Sequence, residues 1–188
     1  MTNPLLAPFD APHGLPPFDR IAPEHFRDAA ERAMAEHAEE IATIRDNAIE
    51  ADFYPTIKVL EGSGRLLDRV MSAFFTLAAG DTNAEIQAIE RALAPLLARH
   101  RTAILMDQGL WARVKAVVAK MDGMPAEDAR VTELARRRFV RAGADLDEAG
   151  RERMGEIQER LASLGTAFSQ NVIADERDWA LELAPDDT

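Results

Sequence analysis

The stretch that decides the fold reads DEAGRERMGEIQERLASLGTAFSQNVIA and covers residues 147–174. Its apolar side chains recur every three or four positions, which places them along one face of an α-helix. The members of this stripe are Met154, Ile157, Leu161, Leu164, Phe168 and Val172. We therefore predict a helix over about 147–174, with Phe168 as one of its core residues.

The same periodicity, read towards the N-terminus, predicts five more helices. They begin at Pro23-Glu24, where proline suits a first helical position, and then cover about 52–79, 82–104, 109–121 and 126–142. Gly62-Ser63-Gly64 interrupts the second of them and predicts a bend or a close helix–helix contact. The fold class is therefore all-α, with about six antiparallel helices in a bundle-like array.

Two further signals concern the start of the third helix and the C-terminal residues of the chain. Thr82-Asn-Ala-Glu85 is typical of a capping box, with Thr82 as the capping side chain of the third helix. Residues 178–184 alternate apolar and polar side chains, which predicts a strand for which the chain offers no partner. From that orphan strand we expect that the natural sequence continues beyond Thr188.

Residues 1–22 are predicted to form an extended arm rather than a helix. Prolines recur along them, and proline fixes φ and removes backbone donors. They are Pro4, Pro8, Pro12, Pro16 and Pro17. Apolar residues between the prolines lead us to expect that the arm packs on a larger body, because a free tail would be more polar. Residues 23–188 are predicted to be one helical domain.

Composition excludes several functions. The 188 residues carry 33 acidic and 22 basic side chains, for a net charge of −11, so nucleic-acid binding has no electrostatic support. The absence of cysteine excludes disulfides and thiolate sites and suits a reducing compartment. The most apolar stretch, 70–79, is too short to cross a membrane, and the N-terminus lacks the pattern of a signal peptide. We predict a soluble, cytoplasmic protein.

The four histidines do not form the pattern of a helical zinc protease. They are His13, His25, His37 and His100, and no two of them lie one helical turn apart around a glutamate. His37 can share a helix face with Glu40, but two ligands do not make a zinc site. His37 and His100 both fall on apolar stripes, so we expect them to be partly buried and hydrogen-bonded.

Other candidate groups have structural explanations. The carboxylates at Glu36 and Glu40 are expected by chance on an acidic surface, and the second acidic group, Asp145/Asp147/Glu148, lies at a helix start that favours negative charge. Ser63 and Ser72 are expected to have no histidine nearby, and Gly62-Ser-Gly64 is not a nucleophile elbow.

The one basic run and the aromatic residues also have structural interpretations. Arg136-Arg137-Arg138 fans around a helix, which favours a solvated face with salt bridges to acidic neighbours. Phe74, Trp111 and Phe168 are interpreted as core. We predict that the chain contains no catalytic, cofactor-binding or metal-ligating residue.

Several segments, taken in order, resemble the N-terminal portion of the thimet-oligopeptidase-like zinc metallopeptidases. These segments are Asn3-Pro-Leu-Leu6, Leu15-Pro-Pro-Phe-Asp-Arg-Ile21, Pro23-Glu-His-Phe26, Thr56-Ile-Lys-Val-Leu-Glu-Gly-Ser-Gly64, Asp81-Thr-Asn83 and Arg138-Phe-Val-Arg-Ala-Gly-Ala-Asp-Leu146. The last two are closer to the peptidyl-dipeptidase Dcp type than to oligopeptidase A. The resemblance covers essentially the whole chain.

The resemblance implies a longer, nearly all-helical enzyme that releases dipeptides from the C-termini of short peptides in a deep channel. It also implies a zinc ion held by His-Glu-x-x-His and a later glutamate, with the motif glutamate acting as general base. This chain lacks those positions, so we expect a channel-wall segment that is inactive alone and lacks its C-terminal catalytic domain. Such a segment would expose apolar surface and self-associate.

Two alternatives remain open from the sequence. One is a standalone helical module that binds peptides or a protein partner without hydrolysis. The other is a small independent hydrolase or metal protein, which stoichiometric zinc lost on mutation of His37 or His100 would support. A natural stop codon after Thr188 would argue against a fragment of a larger enzyme.

Overall fold

The structure, a computed structural model, describes residues 3–178. Within that range the chain is all-α, as predicted, and no strand occurs. Its six longer helices are α1 (Glu24–Arg45), α2 (Arg65–Gly80), α3 (Ala84–Leu105), α4 (Gln108–Val118), α5 (Ala126–Ala142) and α6 (Glu148–Asp178). The predicted strand at 178–184 lies outside the described residues, apart from Asp178 at the end of α6.

Shorter helical segments connect the longer ones. A π-helical segment, Phe53–Lys58, runs directly into the short α-helical turn Val59–Glu61. Single 3-10 turns form at Pro12–Gly14 and Met121–Gly123. None of the helices in the described range is both long and apolar enough to cross a bilayer. The antiparallel order of the helices and the division into residues 1–22 and 23–188 stay predictions.

The predicted interruption of the second helix is confirmed. The 53–61 segment ends at Glu61 with Gly62 as its C-cap, and α2 starts only after Gly64, whose backbone is left-handed with φ +72°. A left-handed φ is inexpensive only for glycine, because other residues bring Cβ against the backbone. The predicted single helix over 52–79 is therefore two helical segments that meet at this break.

A first apolar cluster joins α1, α2 and α3 to the start of the chain. Phe26 of α1 and Phe74 of α2 are fully buried and meet edge to face, with ring centroids 5.2 Å apart. Leu5 is buried in the same cluster. The guanidinium of Arg69 holds the nearby backbone by donating from Nη2 to the carbonyls of Leu5 and Leu6, at 3.5 and 3.4 Å. Phe74 is a core residue, as predicted.

A second apolar cluster joins the C-terminal half of α1, the 53–61 segment, α4 and α5. Trp111 of α4 and Phe139 of α5 are buried and stacked, with ring centroids 5.5 Å apart and an interplanar angle of 11°. The Trp111 indole Nε1 donates to Asp145 Oδ1 at 2.9 Å, so its polar edge has a partner inside the protein. The prediction that Trp111 is a core residue is confirmed.

The N-terminus of α3 corrects the predicted capping box. The cap is Asn83, whose Oδ1 accepts from the backbone N–H groups of Glu85 and Ile86, each at 3.0 Å. Asn83 has the extended backbone of a capping residue, with φ −145° and ψ 176°. Thr82 was therefore the wrong cap by one position, because α3 begins at Ala84.

Helix α6 is present as predicted, but its apolar stripe faces outward. The residues that face α3 are small or polar, namely Gly155, Gln158, Ala162, Thr166 and Gln170. They make specific contacts: Gln170 Nε2 donates to Gln87 O at 3.0 Å, and Thr102 Oγ1 donates to Gln158 Oε1 at 2.8 Å.

This contact leaves the apolar stripe of α6 outside the contact with α3, with Leu161 at the edge of a hollow among α3, α5 and α6. Leu161 is 62% exposed and Phe168 is 70% exposed. Ile157, Leu164 and Val172 also reach the surface. The prediction that Phe168 is a core residue is wrong for this chain, because α3 binds the polar face of α6 through hydrogen bonds.

Candidate functional site

A half-buried polar centre forms where α1, α3 and the break at residues 62–64 meet. His100 Nε2 lies 3.0 Å from His37 Nδ1, and His37 Nε2 lies 3.2 Å from Ser63 Oγ. Ser63 Oγ in turn lies 2.7 Å from the carbonyl oxygen of Leu60. Both histidines are half-buried and hydrogen-bonded, as the sequence predicted.

The hydrogen bonds of this centre run in one direction. The Leu60 carbonyl can only accept, so the Ser63 hydroxyl donates its proton there. His37 must then donate from Nε2 to Ser63 and accept at Nδ1, and His100 must donate from its Nε2. Both neutral rings therefore carry their proton on Nε2.

Burial lowers the pKa of both imidazoles below the ordinary range, because desolvation disfavours their charged forms. For His37 the carboxylates of Glu40 and Asp68 partly offset this effect. For His100 the neighbouring His37 lowers the pKa further. Both rings are neutral near pH 7, which agrees with the tautomers that the hydrogen bonds require.

Glu40 and Gly64 determine how closely the break at residues 62–64 packs against α1. Glu40 Oε2 accepts from the Gly64 backbone N–H at 2.7 Å. A Cβ at Gly64 would lie 2.8 Å from the His37 ring, closer than packed side chains approach each other. Glycine at position 64 therefore serves both its left-handed backbone and this close contact. The predicted close approach at Gly62-Ser63-Gly64 is confirmed.

This geometry corrects one prediction and limits the chemistry of the centre. Ser63 does have a histidine nearby, contrary to expectation, because α1 and the break are joined across 26 positions of sequence. A hydrolytic serine, however, must donate its proton to the histidine that acts as base. Here Ser63 donates to a carbonyl and accepts from His37, so the chain of hydrogen bonds does not activate a nucleophile.

The donors present do not fit a zinc ion. A zinc site in a protein uses three or four nitrogen, oxygen or sulfur ligands around one point. No three histidine, aspartate or glutamate side chains converge in this way within residues 3–176. Glu40, the nearest carboxylate on the same helix face as His37, is occupied by the Gly64 N–H.

Two adjoining hollows lie beside the polar centre. The first has a volume of about 480 Å³ and is lined by both histidines and by apolar residues of α2 and α3. The second is a groove of 680 Å³ among α3, α5 and α6, which we call the arginine groove. Its lining residues are Phe75, Ala94, Leu97, Ala98, Arg101, Leu105, Arg138, Arg141, Ala142, Gln158, Leu161, Ala162 and Thr166.

The remaining candidate carboxylates act as helix caps and hydrogen-bond acceptors. Asp147 Oδ1 accepts from the Gly150 N–H at 2.8 Å at the start of α6, and Asp145 accepts from Trp111. Glu36 is exposed. These positions agree with the structural interpretation that the sequence favoured for both acidic groups.

The other two histidines, His13 and His25, lie near the start of the chain and far from the polar centre in sequence. His25 Nδ1 accepts from the Ala22 N–H at 3.0 Å beside the first turn of α1. His13 has a left-handed backbone, with φ 63°, in the short 3-10 turn. Neither joins the contact between His37 and His100.

The basic run is held by salt bridges, as predicted. Arg136 and Arg137 both bind Glu133, and together they lower its pKa to about 2. Arg138 does not contact Glu133 and instead binds Glu61 of the 53–61 segment. The sequence did not predict the arginine groove, because Arg101 and Arg141 lie forty positions apart and only the packing of α3 on α5 brings them to one hollow.

Comparisons with known proteins agree with the resemblance read from the sequence. No protein-family model matches the chain. The chain is 37% identical over 174 residues to the dipeptidyl carboxypeptidase of Escherichia coli strain K12. This alignment covers 92% of the chain and 26% of that protein. For the dipeptidyl carboxypeptidase of Salmonella typhimurium the identity is 36% over 175 residues, with the same coverage.

A second group of relatives is less similar. Oligopeptidase A of E. coli is 28% identical over 184 residues, which covers 95% of the chain and 26% of that protein. The chain therefore spans about a quarter of the length of the curated relatives that it matches. The higher identity to the dipeptidyl carboxypeptidases confirms the expected order of resemblance.

Proposed function

Because this chain is homologous to the dipeptidyl carboxypeptidases and the oligopeptidases A, we propose that it forms a helical wall segment of a peptidase acting on short peptides. The observation that carries the proposal is the extent of the match. Similarity runs through 92% of the chain yet takes in only 26% of the relative. The chain thus matches about a quarter of that relative, and the proposal is that it contributes the corresponding part.

The exposed face of α6 supports this role. Leu161, Leu164 and Phe168 form part of a continuous apolar stripe that no described residue covers. Contiguous apolar surface of this kind usually marks an interface. We propose that the remaining three quarters of the peptidase cover this stripe, and that the chain self-associates through it when expressed alone.

The catalytic chemistry is proposed to lie outside this chain. The resemblance implies a zinc ion, which in such peptidases activates a bound water for attack on the peptide bond. The residues described here do not fit that ion, so no step of the reaction is assigned to them. Their proposed contribution is to shape the channel and restrict access to short, extended peptides.

The test is a chimera in which this chain replaces the aligned segment of the E. coli dipeptidyl carboxypeptidase. We expect the chimera to release dipeptides from the C-termini of short peptides and the isolated chain to release none. Release by the isolated chain, or a folded and soluble chimera without activity, would contradict the proposal.

A matched pair of variants tests the role of α6 within the chimera. Leu161→Glu/Phe168→Glu places two charges in the apolar stripe and should abolish assembly and activity. Ala167→Glu/Ser169→Glu adds the same charge at exposed positions beside the stripe and should leave both intact. Equal losses in the two variants would show that added charge, not the stripe, is responsible.

A standalone binding module would give a different pattern. The isolated chain would then be a stable monomer at high concentration, although Leu161 and Phe168 are exposed. Sedimentation of the chain and of its Leu161→Glu/Phe168→Glu variant distinguishes the two. A self-associating chain that becomes monomeric in the variant favours the wall segment.

A further inference from the structure

The arginine groove has a lining whose charge is opposite in sign to the net charge of the chain. Three arginines line it, Arg101 of α3 and Arg138 and Arg141 of α5, and no acidic residue is among its lining. The chain as a whole carries a net charge of −11. A positive groove on an acidic protein concentrates anions at that place and repels them elsewhere.

Two of the three arginines are available to a ligand. Arg101 and Arg141 are exposed and make no hydrogen bond or ion pair with any side chain in the described range, whereas Arg138 is bound to Glu61. Most other arginines near the groove are already paired, as Arg99 is with Glu159 at 2.7 Å. The two free guanidinium groups therefore offer unused donors beside the groove.

The rest of the groove wall is apolar with two polar exceptions. Phe75, Leu97, Leu105 and Leu161 provide most of the large apolar side chains. Thr166 of α6 adds a hydroxyl that can donate to or accept from an amide, whereas the Gln158 side chain already bonds to Thr102 and to the carbonyl of Ala142. This combination suits a ligand with a carboxylate, an apolar body and at least one amide bond.

We propose that the arginine groove binds the C-terminal end of a short peptide whose last residues are apolar. The free carboxylate lies against Arg101 and Arg141, because a guanidinium pairs with a carboxylate through two parallel hydrogen bonds. The apolar side chains rest on Phe75, Leu97 and Leu105. This site rests on the proposed function, and it adds a docking position for the peptide on this chain.

The size of the groove favours a short peptide over a macromolecular surface. Its 680 Å³ falls within the range of about 300–1,000 Å³ typical of pockets that enclose small ligands. A simple fatty carboxylate would leave the Thr166 hydroxyl unused, and the proposed function supplies peptides as ligands. We therefore choose the peptide, and the fatty carboxylate becomes an arm of the test.

The test is binding to the isolated 188-residue chain, measured by isothermal titration. The probes are the peptide Ala-Ala-Phe-Leu with a free carboxylate, the same peptide with a C-terminal amide, and decanoate. We expect saturable binding of the free acid, with affinity at least tenfold lower for the amide and for decanoate. No saturable binding of the free acid, equal binding of the amide, or tighter binding of decanoate would each overturn the proposal.

Variants locate the binding site. Arg101→Ala/Arg141→Ala should weaken binding of the free acid at least tenfold, and Arg101→Lys/Arg141→Lys should recover part of that loss because it keeps the charge without the paired donors. Arg27→Ala/Arg153→Ala removes the same charge from exposed sites on α1 and α6 and should bind as the parent does. Equal losses in the two alanine variants would overturn the assignment.

Circular dichroism of each variant checks that a loss of binding is not a loss of fold. Both target arginines are exposed, so their substitution is expected to leave the helical signal unchanged. Binding is measured without hydrolysis, while the wall-segment role is measured as peptide release by the chimera. Failure of the groove therefore leaves the chimera result standing, and failure of the chimera leaves the binding result standing.

Discussion

Helices α1 and α6 carry equally regular apolar stripes, yet only that of α1 is buried. In α1 the residues Phe26, Ala30 and Ala33 pack into the first cluster, and Ile41 and Ile44 pack into the second. In α6 the corresponding stripe faces outward, and the helix is held to α3 by hydrogen bonds from its opposite face. Two helices with similar apolar patterns therefore differ in the burial of those residues.

The difference shows what an apolar stripe does and does not specify. The hydrophobic effect is proportional to the apolar area removed from water, and it has no preferred direction or partner. A stripe therefore predicts a helix and a face that gains from burial, but not which surface buries it. For α1 that surface lies within the described chain, and for α6 we propose that it lies in the rest of a peptidase.

The sharpest test of this comparison truncates one phenylalanine on each helix. Phe26→Ala removes a fully buried ring in contact with Phe74 and should lower the free energy of unfolding by about 3–5 kcal/mol. Phe168→Ala removes a ring that is 70% exposed and should change it by about 0.5 kcal/mol or less. Urea denaturation of the monomeric chain measures both changes in the free energy of unfolding. Similar losses of stability in the two variants would mean that α6 is buried in solution.

A second test compares glycines. Gly64→Ala, at the break that packs on α1, places a Cβ 2.8 Å from the His37 ring and forces a left-handed backbone, so it should destabilise by about 1–3 kcal/mol. Gly165→Ala in α6 meets no neighbour within 4 Å and should stabilise by about 0.5–1 kcal/mol, because alanine favours helix. Thermal unfolding should move the two midpoints in opposite directions, and a Gly64→Ala midpoint equal to that of the parent would refute the tight contact.

The smallest expected effect is a dependence of stability on pH through His37 and His100. Their pKa values are lowered in the folded state, so the unfolded chain binds more protons as the pH falls. The stability is full above about 6.5, the ordinary histidine pKa, and is lost progressively below it towards the folded pKa values. Helix α6 carries no histidine, so none of the imidazoles behind this change lies on it.

Substitution of single histidines isolates that effect. His37→Gln should reduce the slope of unfolding free energy against pH between about 6.5 and 5. Urea denaturation over a pH series measures this slope for the parent and the variant. A slope unchanged in His37→Gln would show that the polar centre does not titrate with folding.

Much of the fold followed from local sequence signals. The starts of α1 and α5, the bend at Gly62-Ser63-Gly64 and the burial of Trp111 all depend on spacing, glycine and proline within a few residues. The cap of α3 was misplaced by one position because Thr82 and Asn83 are both good caps, and only the backbone decides between them.

The candidate site was less predictable because its contacts are long-range. His37 and His100 are 63 positions apart and touch only because α1 packs on α3. Their partial burial followed from their apolar stripes, but their contact and the partnership with Ser63 did not. The arginine groove needs α3, α5 and α6 together, and no local pattern signals it.

The stacking of Trp111 on Phe139 also gives the protein an internal optical reporter. Trp111 is buried, and its indole N–H is bound to Asp145, so its fluorescence should be blue-shifted in the native state and shift to the red as the second cluster opens. The only other tryptophan is Trp179, and Trp179→Phe leaves Trp111 as the sole emitter. Quenching by iodide would then report directly on whether α4 and α5 separate before the rest of the molecule.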